Sequence, residues 1–302
     1  MIVAGAFVSV AVHANTLDLS GEWSVRLDPR DVGEKQQWFK AVEGRPIHLP
    51  GIVSEAGLGD PLALEPALTK EVFSHLHQNF RYVGAAWYVR EIDLPDGWSD
   101  ATLLLERTIW QTSVWVNGRM AGSLNSLSTP HRHAVGAFLK PGKNIIAVRV
   151  DNRMQVDLGE LGHAYTDQTQ TIWNGLVGKI ELRRENPIQI KTSPLRVVLP
   201  EGGKLAVKVE AINHDGPDLP AWSKIVKAGE VTIDLPAKKM VKWSEFNPAL
   251  YRVTVEFNGQ EKSVVTGFRD VEANGRDLLI NGRKSFMRGT LECCIFPKTG
   301  YP

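Results

Sequence analysis

The stretch "VDNRMQVDLGELGHAYTDQTQTIWNGLVG", residues 150–178, gathers acids, amides and aromatic rings more densely than any other part of this 302-residue chain. Asp151, Asn152, Asp167, Gln168, Trp173 and Asn174 are the types that could ring a sugar. Carboxylates and amides pair with hydroxyl groups, and a flat aromatic face takes the C–H side of the ring. The same residues also admit a packing reading, in which Asp151 and Asn152 cap a turn and Trp173 belongs to a core. Sequence alone weighs the two readings about evenly.

Two H-x-H pairs stand apart from this stretch, His75/His77 and His131/His133. On a strand, that spacing puts both rings on one face. A zinc site needs further protein ligands, and no Cys or carboxylate cluster accompanies either pair, so both are expected to be solvated loop histidines and no metal site is assigned. The two cysteines, Cys293 and Cys294, are adjacent. They provide no disulfide framework and are expected to be unreactive strand thiols. No G-x-S-x-G elbow, phosphate-binding glycine loop or C-x-x-C motif occurs, and the scattered carboxylates single out no facing pair of the kind glycoside hydrolysis requires. No catalytic residue is assigned.

Short strands must position these groups. The segments "GEWSVRLD", "AAWYVREIDLP", "ATLLLERTI", "TSVWVNGRMAG", "NIIAVRVDN" and "GKIELRR" alternate or run apolar between Gly, Pro, Asn and Asp punctuation, which predicts one β-sandwich. Within it "VNGR" predicts a two-residue hairpin, because a type I′ turn needs residues that tolerate positive φ. After "RRENP" a second series, from "IQIKTSPLRVVLP" to "KSVVTGFRDVEA", has the strand count and spacing of an immunoglobulin-like sandwich. Another Asn-Gly hairpin follows in "LLINGRKSF". The fold class is therefore all-β.

A net charge of +1 makes nucleic acid an unsuitable partner. The opening "MIVAGAFVSVAVHA" is too short to span a bilayer, and its small-x-small ending at Val12-His13-Ala14 suits signal-peptidase cleavage. Residues 1–14 are thus expected to be a signal peptide, and the protein to be exported to a periplasmic or extracellular location.

The ordered series "LSGEW", "IHLPGIVSEAGLGDP", "AAWYVREIDLP", "VWVNGRMAG", "LKPGKNIIAVRVDN", "TIWNGLVGKIEL", "KWSEFNPALYRVTV" and "TGFRDVEANGRDLLINGRKSFMRG" resembles the N-terminal half of glycoside hydrolase family 2, which includes β-galactosidases, β-glucuronidases and β-mannosidases. The resemblance implies a jelly-roll sugar-binding domain over 15–186 and an immunoglobulin-like sandwich over 187–270. Residues 271–302 would then hold a hairpin and the first strand of a (β/α)8 catalytic barrel, which needs about 250 residues to close. The family's catalytic glutamates lie on later barrel strands, so the chain is expected to be a non-catalytic portion of a retaining glycosidase, its partners being a carbohydrate and the missing barrel.

The resemblance further implies that jelly-roll loops help shape the substrate pocket. The Asp151–Asn152 corner and the Asp167–Asn174 segment would do so, joined by Arg288 and Glu292 from the barrel strand. "RGTLECCIFP" departs from the family's usual Asn and His-rich stretch at this point, which leaves the sugar unassigned. No cofactor is assigned to this chain; the resemblance allows a metal ion near the barrel site of a complete enzyme. Two alternatives stay open, a free-standing carbohydrate-binding or adhesion module and a structural interaction domain without a sugar site.

Overall fold

The computed structural model describes residues 16–61, 79–157, 159, 172–184, 188–192, 194–235 and 239–290. The leader, His75, His77, Asp167, Gln168, Glu292, Cys293 and Cys294 lie outside the described residues. Two compact units divide the chain, the first running to residue 185 and the second from 186 to 290.

The first unit contains β1 (Thr16–Asp18), β2 (Gly21–Asp28), β3 (Arg45–Leu49), β4 (Gly51–Ile52), β5 (Asp60–Pro61), β6 (Phe80–Arg81), β7 (Ala85–Leu94), β8 (Ala101–Arg107), β9 (Gln111–Val116), β10 (Arg119–Asn125), β11 (His131–Ala134), β12 (Gly142–Asp151) and β13 (Gly175–Arg184). One antiparallel sheet runs β10-β9-β12-β7-β2-β3, and a second runs β1-β13-β8-β11 with β4 also on β13. The two sheets share one core, as expected for a β-sandwich.

Period-two alternation explains which residues fill that core. On β12, Ile146, Val148 and Val150 join Tyr88 and Ile92 of β7 and Leu103, Leu105, Ile180 and Leu182 of the other sheet. The intervening side chains point to the outer face of the six-stranded sheet. There Trp87, Val89, Trp115 and Ala147 form a second cluster, which Phe39 covers from a single 3-10 turn at Trp38–Lys40. Phe39 stacks on Trp115 with ring centroids 5.3 Å apart, and Trp87 lies 4.9 Å from Trp115. Part of the sheet's outer face is therefore core.

In the second unit, β14 (Gln189–Thr192), β15 (Leu195–Leu199), β16 (Gly203–Ala211), β17 (Leu219–Val226), β18 (Gly229–Thr232), β19 (Tyr251–Phe257) and β20 (Gln260–Thr266) make two sheets, ordered β14-β15-β18 and β17-β16-β19-β20. Alternate residues of β15, β16 and β19 fill one core: Val197 and Leu199, Leu205 and Val207, Val253 and Val255. These seven strands are the second sandwich. A three-stranded meander follows, β21 (Val271–Asn274), β22 (Asp277–Ile280) and β23 (Arg283–Ser285). Residues 286–290 carry no strand, and the rest of the stretch expected to start a barrel lies outside the described residues.

The Asn-Gly hairpins take the backbone that their sequence demands. Asn117-Gly118 has φ of 51° and 78°, Asn281-Gly282 has 52° and 74°, and Asn258-Gly259 repeats the pattern at 48° and 77°. Positive φ at both central residues is the type I′ signature, whose twist matches that of the flanking strands.

Candidate functional site

Asp151 ends β12 on the sheet's outer face, two residues beyond Arg149 and two before Arg153. It is 2% exposed. Its Oδ1 accepts from the backbone N–H of Arg153 at 3.1 Å and from Nε at 2.8 Å; its Oδ2 accepts from Arg149 Nη2 at 3.0 Å and also from Arg153 Nη2. Asp31 completes the cluster, with Oδ1 2.5 Å from Arg149 Nη2 and Oδ2 2.6 Å from Arg153 Nη2. Burial pushes the Asp151 carboxyl up, but the hydrogen bonds from Arg153 and the two guanidinium charges outweigh it and hold the pKa below the ordinary value. The same opposition leaves Asp31 lowered, and the paired carboxylates raise Arg153 further. Two carboxylates thus balance two guanidinium groups. The Arg153 side chain stays 45% exposed, so a polar ligand can reach it.

Asn152 and Asn174 turn inward beside this cluster. Asn152 Nδ2 donates to the carbonyls of Tyr82 at 2.9 Å and Trp173 at 3.1 Å, while its Oδ1 accepts from Gly84 N–H at 2.8 Å. Asn174 Nδ2 donates to Gly84 O at 2.9 Å and Val150 O at 3.2 Å, and its Oδ1 accepts from Tyr88 Oη at 2.8 Å. Both side chains are buried, and every amide proton is used within the chain. They tie the end of β12 to the segments that precede β7 and β13. Trp173 is buried as well, in a cluster with Ile52, Ile109, Trp110, Ile172 and Val177. In this geometry these three residues brace the corner, while Arg153 and Asp31 present its polar surface.

His131 and His133 are not solvated loop residues. Both lie on β11 and are buried, because the two-residue spacing turns both rings toward Thr112. His131 Nε2 lies 3.1 Å from the carbonyl of Ser126, which can only accept, so that nitrogen carries the proton. Its Nδ1 then accepts from Thr112 Oγ1 at 2.6 Å, and Thr112 Oγ1 accepts from His133 Nε2 at 2.9 Å. Burial pushes both imidazoles below their usual range, against the Ser126 contact at His131; at His133 the neighbouring His131 adds to the effect, and the pKa falls to about 4. Two neutral rings share one hydroxyl. Among the described residues, no group of three or more His, Cys, Asp or Glu could hold a metal ion.

The structure therefore gathers Asp151, Asn152, Trp173 and Asn174 at one corner of the first unit. Arg288 belongs to the second unit, where it is exposed and its guanidinium lies 5.9 Å from the Phe286 ring centroid. Asp31, Arg149, Arg153 and Thr112 are the participants that sequence reading passed over. The alternation of Arg149, Asp151 and Arg153 was the one available signal, since it predicts three charged side chains on a shared edge.

Residues 16–185 match the family described as "Glycosyl hydrolases family 2, sugar binding domain". A β-galactosidase of Arthrobacter sp. (strain B7) is 27% identical over 215 residues, covering 67% of this chain and 20% of that protein. A β-glucuronidase of Paenibacillus borealis is 21% identical over 308 residues, covering 90% of this chain and 48% of that protein. Among solved structures, the β-glucuronidase from Ruminococcus gnavus in complex with D-glucaro-d-lactam superposes with a TM-score of 0.64 at 18% identity, over 91% of this chain and 49% of that one. The chain thus spans from a fifth to about half of the length of these proteins. Because the family match takes in more than half of its residues, the chain belongs to glycosyl hydrolase family 2 and carries that family's sugar-binding domain.

Proposed function

We propose that this chain is the non-catalytic, sugar-binding portion of an exported, retaining family 2 glycosidase, and that the Asp151 corner helps to shape the pocket in which a glycoside is held. The observation that carries this reading is the cluster of Asp31, Arg149, Asp151 and Arg153 at the end of β12, inside the sugar-binding domain, with Arg153 fixed by two carboxylates yet open to solvent. A guanidinium held in this way offers its remaining N–H donors to hydroxyl or ring oxygens with little ordering cost. Asn152, Trp173 and Asn174 contribute by holding the corner rigid. The catalytic glutamates are assigned to a barrel outside this chain. Relatives described as β-galactosidase and β-glucuronidase, and a structural neighbour solved with D-glucuronic acid, support a β-glycoside as ligand.

Assay of the purified chain on a panel of aryl β-glycosides, with calorimetric titration of galactosides, glucuronides and mannosides, tests this reading. We expect no turnover, and binding of at least one glycoside that Arg153→Ala weakens about tenfold without lowering the melting temperature enough to unfold the domain. Turnover by the chain would overturn the non-catalytic assignment. Binding indifferent to Arg153 would overturn the role of the corner.

A further inference from the structure

A groove of about 440 Å³ opens on the outer face of the six-stranded sheet, where β3, β2 and β7 lie side by side. The volume falls within the roughly 300–1,000 Å³ common for small-molecule clefts. Asp151 pairs with Ala85, and Glu91 of the groove is six residues further along β7. At about 3.3 Å per residue the groove lies about 20 Å from the Arg153 corner, beyond Trp87.

The groove's lining is mixed in a specific way. Val42 and Pro46 supply aliphatic surface over the buried Val89, while Glu22 and Ser24, alternating on β2, point into the same space. Among the described residues, the Glu22 carboxylate and the Ser24 hydroxyl have no hydrogen-bond or ion-pair partner, although they line a concave surface. The neighbouring charges are already engaged. Glu91 pairs with Lys143 at 2.7 Å, and Arg90 Nη1 donates to the carbonyls of Leu19 and Ser20 at 2.7 and 2.9 Å. Gly44 closes one side at φ +143°, so near β2 that a Cβ would sit 2.4 Å from Val25 O and 3.1 Å from Ser24 Oγ. Only glycine lets that segment lie against β2 with Ser24 Oγ beside it.

We propose that this groove is a second carbohydrate site, which takes a neutral pyranoside. Glu22 accepts from two neighbouring hydroxyls, Ser24 donates or accepts at a third, and the C–H face of the ring lies on Val42 and Pro46. A uronate would be excluded. Its carboxylate would meet the exposed Glu22 carboxylate, and like charges brought close together repel, while Arg90, the cation of the lining, is held by the Leu19 and Ser20 carbonyls. Ligand binding here needs neither Arg153 nor Asp31.

The test is an amide-resolved NMR titration of the full chain with methyl β-D-galactopyranoside, methyl β-D-glucopyranoside and methyl β-D-glucuronide. Saturable shifts are expected at the amides of residues 22–24, 44–45 and 89–91 with at least one neutral glycoside, and affinity at least tenfold lower for the glucuronide. Glu22→Ala should lower affinity about tenfold, and Ser24→Tyr, which fills the groove, should abolish binding. Arg153→Ala should leave these shifts unchanged, which separates this site from the corner proposed above. Absence of saturable shifts at these amides with both neutral glycosides, equal binding of the glucuronide, or full affinity in Glu22→Ala would overturn the site. The Glu22 variant decides the matter even if Ser24→Tyr does not fold.

Discussion

The side chains of Asn152 and Asn174 grip the same residue from its two ends: Asn152 Oδ1 accepts the Gly84 N–H at 2.8 Å, and Asn174 Nδ2 donates to the Gly84 carbonyl at 2.9 Å. The chain therefore closes two segments onto one buried glycine. Asn174→Ala would leave Gly84 O, Val150 O and Tyr88 Oη each short of a partner. An unsatisfied buried polar group costs about 1–3 kcal/mol, so a total loss of about 3 kcal/mol or more is expected. Asn152→Asp should be at least as damaging, because it places an acceptor against the Tyr82 and Trp173 carbonyls. Urea denaturation followed by far-UV circular dichroism measures both; a midpoint unchanged in either variant would show that the amides are dispensable.

Gly84 itself should resist substitution. At φ +154° its backbone is one that L side chains rarely adopt, and an added Cβ would lie 2.9 Å from Tyr82 Oη. That hydroxyl donates to Ala85 O and accepts from Asp28 N–H, so it has little freedom to withdraw. Gly84→Ala is expected to lower stability by about 1–3 kcal/mol. In a double variant with Tyr82→Phe, which removes the obstructing oxygen, part of that loss should return; simple additivity of the two costs would argue against the clash.

The Arg153 cluster predicts acid sensitivity at the low end of the pH range. Asp31 and Asp151 have pKa values lowered in the folded chain, so their contribution is complete above the unfolded carboxylate value, about 3.9, and is lost as pH falls through the folded values. Arg153→Ala removes the guanidinium shared by both acids. Breaking a charge-assisted hydrogen bond network of this kind should cost about 1–3 kcal/mol at neutral pH, and less at pH 3. Melting temperatures across that range report the difference; an equal deficit at both pH values would mean that the ion pairs are not its source.

How far the chain could be read without its structure depends on the range of the interaction. Strands such as β7 and β12 were legible because the period-two pattern is local, and the Asn117 and Asn281 turns because their φ requirement lies in two residues. The corner was legible as a place but not as an arrangement. Asn152 and Asn174 meet Gly84 across 68 and 90 residues of sequence, and Arg149 meets Asp31 across 118, distances over which no spacing rule operates. His131 and His133 were misread for the same reason. Their one-face spacing was visible, but the Thr112 hydroxyl that makes burial tolerable comes from a strand of the facing sheet.

The outer aromatic cluster gives a prediction that no loop chemistry enters. Phe39 is buried, stacks on Trp115 and leans on Trp87 at 6.2 Å, so it seals the exposed side of the six-stranded sheet. Phe39→Ala should cost about 3 kcal/mol and admit water to both indoles. A red shift of tryptophan emission in the folded variant, at denaturant concentrations well below its midpoint, is the expected signature. Phe39→Leu, closer in volume, should lose less than half as much.

The buried histidine pair sets a separate pH window, and it is the more physiological one. Both imidazoles have folded pKa values below the unfolded value of about 6.5, with His133 at about 4, so between those limits the unfolded chain binds more protons than the folded one. The contribution of this pair to stability is therefore complete above about pH 6.5 and declines as pH falls, that of His133 levelling off below about 4. His133 alone accounts for a decline on the order of 3 kcal/mol over that interval. Protonating His131 also places a second N–H against Thr112 Oγ1, whose own proton then has no imidazole nitrogen to meet. His133→Gln keeps an N–H donor for Thr112 but cannot titrate, so its urea midpoint should change much less between pH 7.5 and 4.5 than that of the unaltered chain. Equal changes in the two proteins would place the acid sensitivity elsewhere, whereas a flattened profile would tie it to this shared hydroxyl.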